Sequence, residues 1–367
     1  MSTTKVLHVI ARMNIGGTAH YVGDLIEKIP NSALATGYVQ GSEIEDSIVT
    51  SLLTYRIPHM GRRISPVNDL RAWIELRRII RQLNPEIVHT HTFKSGLIGR
   101  LVGGNHKRVH TFHGHLFDDQ SFTTFEKRII TFAERFLALR TDFLISVGEK
   151  VGRELRAAGI GTSKPWLSIA PGVNPCPLIN KTEARKRLGL HPEHFLVGWM
   201  ARMTNVKNPF LALEVARELP QVHFVMAGGG DLLETVKLSA PANVSIIGWT
   251  NAALFWSAVD CALSTSDNEG MPIALIEAQL AGIPAVATDV GSNSEVIENG
   301  VTGIITDKTA QSLTTALKTI MMDSDLLQEM SSQAVYNSEK KFNAAKMIST
   351  HHDLYIHLEN ENYLNSH

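Results

Sequence analysis

The sequence predicts an α/β protein built from two Rossmann-like domains, on three observations. Short apolar, β-branched runs alternate with amphipathic helical stretches along the whole chain, a pattern typical of buried parallel strands with helices on both faces of the sheet. The 367 residues exceed what one hydrophobic core usually supports. A proline-rich connector, residues 169–177, divides the chain into near-equal halves.

Nine strands are expected from the apolar runs. In chain order they are Val6–Ile10, Ile87–Thr90, Arg108–Phe112, Phe143–Ile145, Phe195–Met200, His223–Ala227, Val244–Ile247, Val259–Leu263 and Pro284–Ala287. The connector precedes a helix that begins near Thr182, and residues 342–367 carry apolar side chains at helical spacing. We therefore assign residues 1–175 to the first domain, 176–341 to the second, and 342–367 to a C-terminal helix that crosses back to the first.

Composition excludes several classes of protein. A formal net charge of -1 and a pI near 7.0 argue against nucleic acid as the main partner. No apolar run approaches the roughly 20 residues that span a bilayer, and the N-terminus enters a strand without a leader pattern. The two cysteines, Cys176 and Cys261, lie far apart in sequence and fit a reducing compartment. We expect a cytoplasmic protein.

The segment 267–278 carries the strongest functional signal. It places Glu269 in a Gly/Pro loop after a strand and Glu277 eight residues later on a helix, with Pro272 expected in the first helical turn. The N-terminus of a helix binds anionic groups, and a carboxylate beside it can accept hydrogen bonds from sugar hydroxyls. The alternative is a surface loop with an acidic helix start.

Three further loops could bind phosphate. Arg202 and Lys207 follow the strand 195–200. The two-pronged guanidinium of Arg202 and the compact ammonium of Lys207 could together bind a diphosphate. Gly228–Gly230 follow the next strand, and Gly16-Gly17 lie between the first strand and its helix. The first-strand turn lacks the GxGxxG spacing of a nicotinamide site. A solvated basic loop and tight glycine turns are the open alternatives.

Histidines cluster at the ends of two neighbouring strands. They are His89, His91, His110, His113 and His115. One hypothesis is a metal-dependent hydrolase, for which only Asp118 and Asp119 offer carboxylates nearby. Another is a single histidine, His113, that orients a substrate hydroxyl. A third is a set of buried, hydrogen-bonded side chains.

Taken together, these motifs resemble the family 4 glycosyltransferases, which are retaining nucleotide-sugar transferases of GT-B fold with two Rossmann-like domains facing a central cleft. The resemblance covers nearly the whole chain in order. The matching segments are Asn14–Gly17, Val88–His91, Thr111–Gly114, Pro171–Asn174, Ala201–Lys207 and Ser264–Gly303.

The resemblance implies a role for each candidate residue. In the second domain, Arg202 and Lys207 would bind the donor diphosphate, Glu277 the ribose hydroxyls and Glu269 the transferred sugar. The same pocket would include Gly270, Met271, Pro272 and Ile273, with Ile247 and Trp249 near the base by position only. From the first domain, Gly16 and Gly17 would approach the diphosphate and His113 the sugar when the cleft closes.

The resemblance also implies transfer with retention, without a divalent cation or other cofactor, because protein cations and helix-end amides can stabilise the leaving group. The donor would be a nucleoside diphosphate sugar and the acceptor a sugar or a lipid-linked glycan precursor of polysaccharide biosynthesis. A helix with Arg71, Trp73, Arg77, Arg78 and Arg81 is compatible with docking on anionic lipid at the inner face of a membrane, or is solvated surface charge. Besides the hydrolase, the competing functions are a nucleotide-sugar epimerase or phosphorylase and a non-catalytic nucleotide-sugar-binding subunit.

Overall fold

The computed structural model describes residues 5–41, 43–61, 64–114 and 123–365, with side chains as far as residue 360. The described chain forms two compact units. The first contains the residues up to Gly172 together with those from Ala344 onward, and the second runs from Val173 to Asn343.

A seven-stranded parallel sheet forms the first unit, in the order β3-β2-β1-β4-β5-β6-β7. Its strands are β1 Val6–Ile10, β2 Ser32–Thr36, β3 Thr54–Arg56, β4 Ile87–His91, β5 Lys107–Phe112, β6 Phe143–Ser146 and β7 Trp166–Ser168. Its helices are α1 Gly17–Lys28, α2 Pro66–Leu83, α3 Thr92–Gly99, α4 Thr124–Leu139, α5 Glu149–Ala157 and the C-terminal α14 Ala344–Asn365, with a 3₁₀ turn at Ser47–Thr50. Helix α14 packs against α1 and β5.

The second unit contains a six-stranded parallel sheet, in the order β10-β9-β8-β11-β12-β13. Its strands are β8 Leu196–Met200, β9 His223–Ala227, β10 Val244–Gly248, β11 Cys261–Ser264, β12 Ala285–Thr288 and β13 Gly303–Thr306. Its helices are α6 Lys181–Leu188, α7 Pro209–Glu218, α8 Leu233–Ser239, α9 Ala252–Ala258, α10 Ile273–Leu280, α11 Asn293–Val296, α12 Ala310–Met322 and α13 Ser324–Lys341, with a 3₁₀ turn at Asn205–Lys207.

The strand order of the second unit determines where a ligand can bind. Strands β8 and β11 are neighbours at the centre of the sheet. The chain continues from β8 to β9 on one side of this pair and from β11 to β12 on the other. Such a switch point opens a crevice at the carboxyl ends of the strands. Below it the core is packed with large apolar side chains, among them Trp199, Phe224 and Met226.

The predicted α/β class is confirmed, and each of the nine predicted strands corresponds to an observed one with ends shifted by at most two residues. Four observed strands were not expected: β2, β3, β7 and β13. Two of these, β3 and β7, have only three residues each, which is too short to show a periodicity. One local prediction is wrong. Pro272 is the N-cap of α10 in an extended conformation, φ -78° and ψ 101°, so the helix begins one residue later, at Ile273.

Candidate functional site

The loops after β8 and β11 are tied together by hydrogen bonds. The amide of Asp267 donates to the carbonyl of Val206 at 2.8 Å, and the hydroxyl of Thr265 donates to the carbonyl of Asn208 at 2.8 Å. Thr265 in turn accepts from the buried indole of Trp199 at 3.0 Å. Because both loops are held to the core and to each other, the side chains that they carry have fixed positions.

Lys207 and Glu269 meet across these two loops. The ammonium of Lys207 donates to Oε1 of Glu269 at 2.5 Å, and the hydroxyl of Ser266 donates to the same oxygen at 2.7 Å. Glu269 is only 9% exposed. A carboxylate that has lost this much hydration needs a cation and a donor beside it. The sequence-predicted sugar-binding and diphosphate-binding residues are therefore neighbours.

The end of β12 and the turn after it pack against the backbone of the Glu269 loop. Gly291 has φ +48°, and a Cβ on it would lie 1.7 Å from the carbonyl oxygen of Glu269. The hydroxyl of Thr288 donates to the carbonyl of Ser266 at 2.7 Å. Only glycine fits such a close backbone approach in this conformation. The position of Glu269 thus depends on Gly291.

Arg202 lies half-buried in the loop after β8, beside the glycine triplet. The amide of Met203 donates to the carbonyl of Gly229 at 2.8 Å. Gly228 has φ +129°, and a Cβ there would lie 1.9 Å from the carbonyl of Ala201. Of the two interpretations of this triplet, close packing against the Arg202 loop accounts for Gly228 without a ligand.

Trp249 packs on Gly229 of the glycine triplet. It follows β10, is 50% exposed, and lies so close to Gly229 that a Cβ there would be 2.7 Å from its indole nitrogen. Ile247, inside β10, is half-buried. An aromatic surface is therefore presented at the carboxyl ends of β9 and β10.

The start of α10 provides backbone groups beside the ion pair. The amides of Leu275 and Ile276 both donate to the carbonyl of Pro272 at 3.1 Å, so the helical ladder begins there. Gly270, Met271 and Ile273 are each partly exposed around this start, while Pro272 is buried. The positive end of the helix dipole lies at the same place. Further along α10, Glu277 accepts a hydrogen bond from the indole of Trp256 at 3.4 Å.

In the first unit, Gly16 is the N-cap of α1 and Gly17 is its first residue. Gly16 has φ +148°, and a Cβ on it would meet open space within 4 Å. The conformation rather than crowding favours glycine at this position. The first turn of α1 contains no acidic residue, so that turn supplies no negative side chain to its own positive dipole end.

His113 is partly exposed and joins a chain of rings whose other members, His91 and His8, are buried. Its Nε2 lies 3.2 Å from Nδ1 of His91, and the Nε2 of His91 lies 3.1 Å from Nδ1 of His8. Tyr21 stacks edge-on against His113 at 4.9 Å between ring centroids, and its hydroxyl lies 3.0 Å from Nε2 of His351. Desolvation, and secondly the proximity of His351, lower the pKa of His113. The imidazole is therefore neutral near pH 7 and can orient a hydroxyl without carrying charge.

His89 completes this network from β4. Its Nδ1 lies 2.6 Å from the hydroxyl of Tyr355 and its Nε2 lies 2.7 Å from the hydroxyl of Thr111. The nitrogens of His8, His89 and His91 approach within 4.8 Å of one another, close enough for a metal ion. Both nitrogens of His89 have hydrogen-bond partners, which fits the hypothesis of satisfied buried side chains for this residue, whereas the buried Nε2 of His8 has no partner among the described residues.

The predicted five-histidine cluster is wrong in one member. His110 alternates to the other side of the sheet, where its Nδ1 lies 2.8 Å from the hydroxyl of Thr90. His115, Asp118 and Asp119 lie outside the described residues. His89 and His91 do point the same way, with ring centroids 4.1 Å apart.

Sequence reasoning missed the side chains that support these sites. Ser266 could have been found, because it lies two residues after the end of β11 and three residues before Glu269. His8, Tyr21, His351 and Tyr355 give no local signal, since each meets its partner from a distant part of the chain.

Two family models match the chain. The model described as glycosyl transferases group 1 matches residues 180–339, and the one described as glycosyl transferase 4-like domain matches residues 16–165. The chain belongs to the family 4 glycosyltransferases. The predicted class of activity is thereby confirmed, and the hydrolase alternative is not favoured.

Known glycosyltransferases match this family 4 chain over most of its length. It is 26% identical to the UDP-Gal:alpha-D-GlcNAc-diphosphoundecaprenol alpha-1,3-galactosyltransferase of Escherichia coli, over 97% of each chain. It is also 26% identical to the Escherichia coli O-antigen biosynthesis glycosyltransferase WbnH, over 89% of this chain and 93% of that protein.

Solved structures confirm the predicted GT-B fold of this glycosyltransferase. Sucrose-phosphate synthase from Thermosynechococcus elongatus superposes with a TM-score of 0.84 at 17% identity, over 97% of this chain and 99% of the other. Anabaena HepE, solved with UDP and glucose, superposes with a TM-score of 0.82 at 17% identity, over 96% and 99%. The described part of the chain contains no helix of the length and apolarity that crossing a bilayer requires.

Proposed function

We propose that this glycosyltransferase moves a sugar, with retention at the anomeric carbon, from a UDP-sugar to a lipid-linked sugar diphosphate. The observation that carries the proposal is the end-to-end similarity to an Escherichia coli enzyme whose name states a UDP-galactose donor and a diphosphoundecaprenol-linked acceptor. The similarity of HepE, solved with UDP and glucose, supports the same class of donor.

The donor site that we propose lies on the second unit. Glu269, held by Lys207 and Ser266, would accept hydrogen bonds from the hydroxyls of the transferred sugar, because a carboxylate is an acceptor of several such bonds. Glu277 would accept from the ribose. Trp249, half-exposed at the end of β10, would face the base. Gly270, Met271, Pro272 and Ile273 would surround the sugar and phosphates at the start of α10.

The transfer reaction requires that the nucleoside diphosphate leave the anomeric carbon of the sugar. As the bond between the anomeric carbon and the diphosphate oxygen breaks, negative charge grows on that oxygen, and positive groups already in place lower the barrier. Arg202, Lys207 and the helix-end amides at Gly16, Gly17 and Ile273 would supply this charge. His113, neutral through burial, would bind a hydroxyl of the sugar.

Each half of the chain would bind one of the two substrates. We propose that residues 1–175 bind the acceptor and residues 176–341 bind the nucleotide sugar, with the helix from residue 342 onward belonging to the first domain. The packing of Tyr355 on His89 and of His351 on Tyr21 supports that last assignment.

A donor and acceptor screen tests the proposal. Purified protein is incubated with UDP-, GDP- and ADP-sugars and a synthetic polyprenyl diphosphate sugar, and the linkage of the product is read by NMR. We expect transfer from a UDP-sugar with the donor's anomeric configuration. Nucleotide binding without turnover on any acceptor would support the non-catalytic subunit instead, and an inverted product would refute retention.

We also propose that transfer needs no divalent cation, since protein groups can stabilise the leaving group. Activity should survive exhaustive chelation followed by buffer exchange. Loss of activity that zinc restores would favour the buried His8, His89 and His91 group as a functional metal site.

A further inference from the structure

Helix α4 of the first unit exposes an unusual number of large apolar side chains. They repeat every three or four residues and so form one stripe. The stripe consists of Phe125, Ile129, Phe132, Phe136 and Leu139, with Phe125 72% and Phe132 73% exposed. The opposite face of the same helix is buried through Ile130, Leu137 and Ala138. A contiguous exposed apolar surface of this kind marks a site of interaction.

The exposed charges along α4 are mostly positive. Arg128, Arg135 and Arg140 are exposed along α4, and the exposed acid on this helix is Glu126, which caps its first turn. The other acid, Glu134, is buried and forms an ion pair with Arg100 at 2.7 Å. The helix thus directs its cations outward and one of its two acids inward, on a chain whose net charge is only -1.

A pocket lies beside the stripe at Phe132, between α4 and Ala158. It measures about 450 Å³, and its lining combines the three cations Lys127, Arg128 and Arg135 with the hydroxyls of Thr124 and Thr131 beside Phe132. Cations and hydroxyls around a small opening suit a phosphate group, while the neighbouring aromatic ring suits an acyl chain.

Helix α2 contacts α3, as α4 does, and it carries a similar set of exposed side chains. It exposes Val67, Leu70 and Ile74 at its start and Arg71, Arg78 and Arg81 along its length. Both of its acids are partly buried and engaged: Asp69 pairs with Lys94, and Glu75 lies 2.6 Å from His59. Trp73, in contrast, packs toward the core and is not part of this surface.

We infer that the outward faces of α2 and α4 dock on an anionic phospholipid bilayer, with lipid phosphate in the pocket at Lys127, Arg128 and Arg135. Apolar residues between exposed cations are the pattern that binds the interface of an anionic membrane. A second copy of the chain is a poorer occupant, since a two-fold contact would place the same cations against each other. The inference deepens the proposed lipid-linked acceptor, but its evidence is this surface alone.

Vesicle flotation tests the inference without donor or acceptor. The full chain is mixed with vesicles of phosphatidylcholine alone or of phosphatidylcholine with phosphatidylglycerol. We expect binding to the second kind only, and weaker binding as salt rises. The double variant Phe125→Ser/Phe132→Ser and the double variant Lys127→Gln/Arg128→Gln should each lose at least about tenfold in apparent affinity.

Matched controls remove equally exposed side chains elsewhere. Leu238→Ser/Met322→Ser and Lys318→Gln/Lys341→Gln alter exposed apolar and basic residues of the second unit and should bind vesicles as the parent does. All four variants should keep the parental rate on a water-soluble acceptor analogue, which separates this inference from the proposed function. Equal binding to both kinds of vesicle, or parental binding by the α4 variants, would refute it. Dimers in ultracentrifugation that the Phe125→Ser/Phe132→Ser change dissociates would assign the surface to self-association instead.

Discussion

The carboxylate of Glu269 is held in place by two hydrogen bonds. Its oxygen Oε1 accepts from both Lys207 and Ser266 while the side chain remains largely buried. Such a carboxylate is fixed in direction before any substrate arrives, and a fixed acceptor lowers the cost of ordering a sugar. We therefore expect Glu269 to contribute to the orientation of the sugar more than to its affinity.

We therefore expect Glu269→Ala to lose orders of magnitude in transfer rate while binding UDP almost normally. His113→Ala should behave in the same way, because a group that acts on the transferred sugar contributes mainly to the transition state. Turnover is measured with the best donor from the screen, and UDP affinity by calorimetry. Glu329→Ala, which removes an exposed acid, is the control. Parental transfer by either site variant would remove that residue from the active site.

Lys207 and Arg202 should affect binding instead. Replacing either by Ala should weaken UDP affinity by about 1.5–3 kcal/mol, the scale of a charge-assisted hydrogen bond. Lys207→Ala should in addition lower turnover, because Glu269 then lacks the cation that compensates its burial. Lys318→Ala serves as the control. UDP affinities equal to that of the parent in both variants would show that the diphosphate binds elsewhere.

Among the elements, those with a local signal could be predicted and those without one could not. The strand β11, the loop at Glu269 and the helix α10 follow from an apolar run, a Gly/Pro loop and a helical continuation. The strands β3 and β7 are too short to show a period. The supports of the histidine network come from α1 and α14: His351 is 330 residues from Tyr21, and Tyr355 is 266 residues from His89. No local pattern encodes such pairs.

The turn after β12 offers a test of how elements position the site. Gly291→Ala would force a Cβ onto the carbonyl of Glu269, so we expect a marked loss of turnover together with lower stability. Gly300→Ala is a matched control, because Gly300 also has a positive φ, +79°, but a Cβ there meets open space. The control should lose only the roughly 1–2 kcal/mol of backbone strain. Rates and denaturation curves of the two variants are compared. Equal turnover in both would show that Gly291 does not hold Glu269 in place.

At the scale of the whole molecule, the first unit buries a large number of uncharged histidines. Burial lowers the pKa of His8 to about 3 and those of His106 and His351 to about 4, from an ordinary 6.5. The pKa values of His89 and His91 are held well below 6.5 by desolvation and by neighbouring histidines. Each of these rings is neutral in the folded protein across the mildly acidic range.

Folding stability should therefore fall as the pH falls from about 6.5 toward about 5. In that window the unfolded chain binds protons on these histidines and the folded chain does not, so the free energy of unfolding rises with pH. Each such ring contributes a slope of up to about 1.4 kcal/mol per pH unit. Urea denaturation at several pH values measures the slope. His351→Gln should reduce it by about one ring's share, whereas His352→Gln, which alters the exposed neighbour on α14, should leave it unchanged. A free energy of unfolding that stays constant over this window would show that these histidines take up protons in the folded protein, and it would contradict the lowered pKa values of His8 and His351.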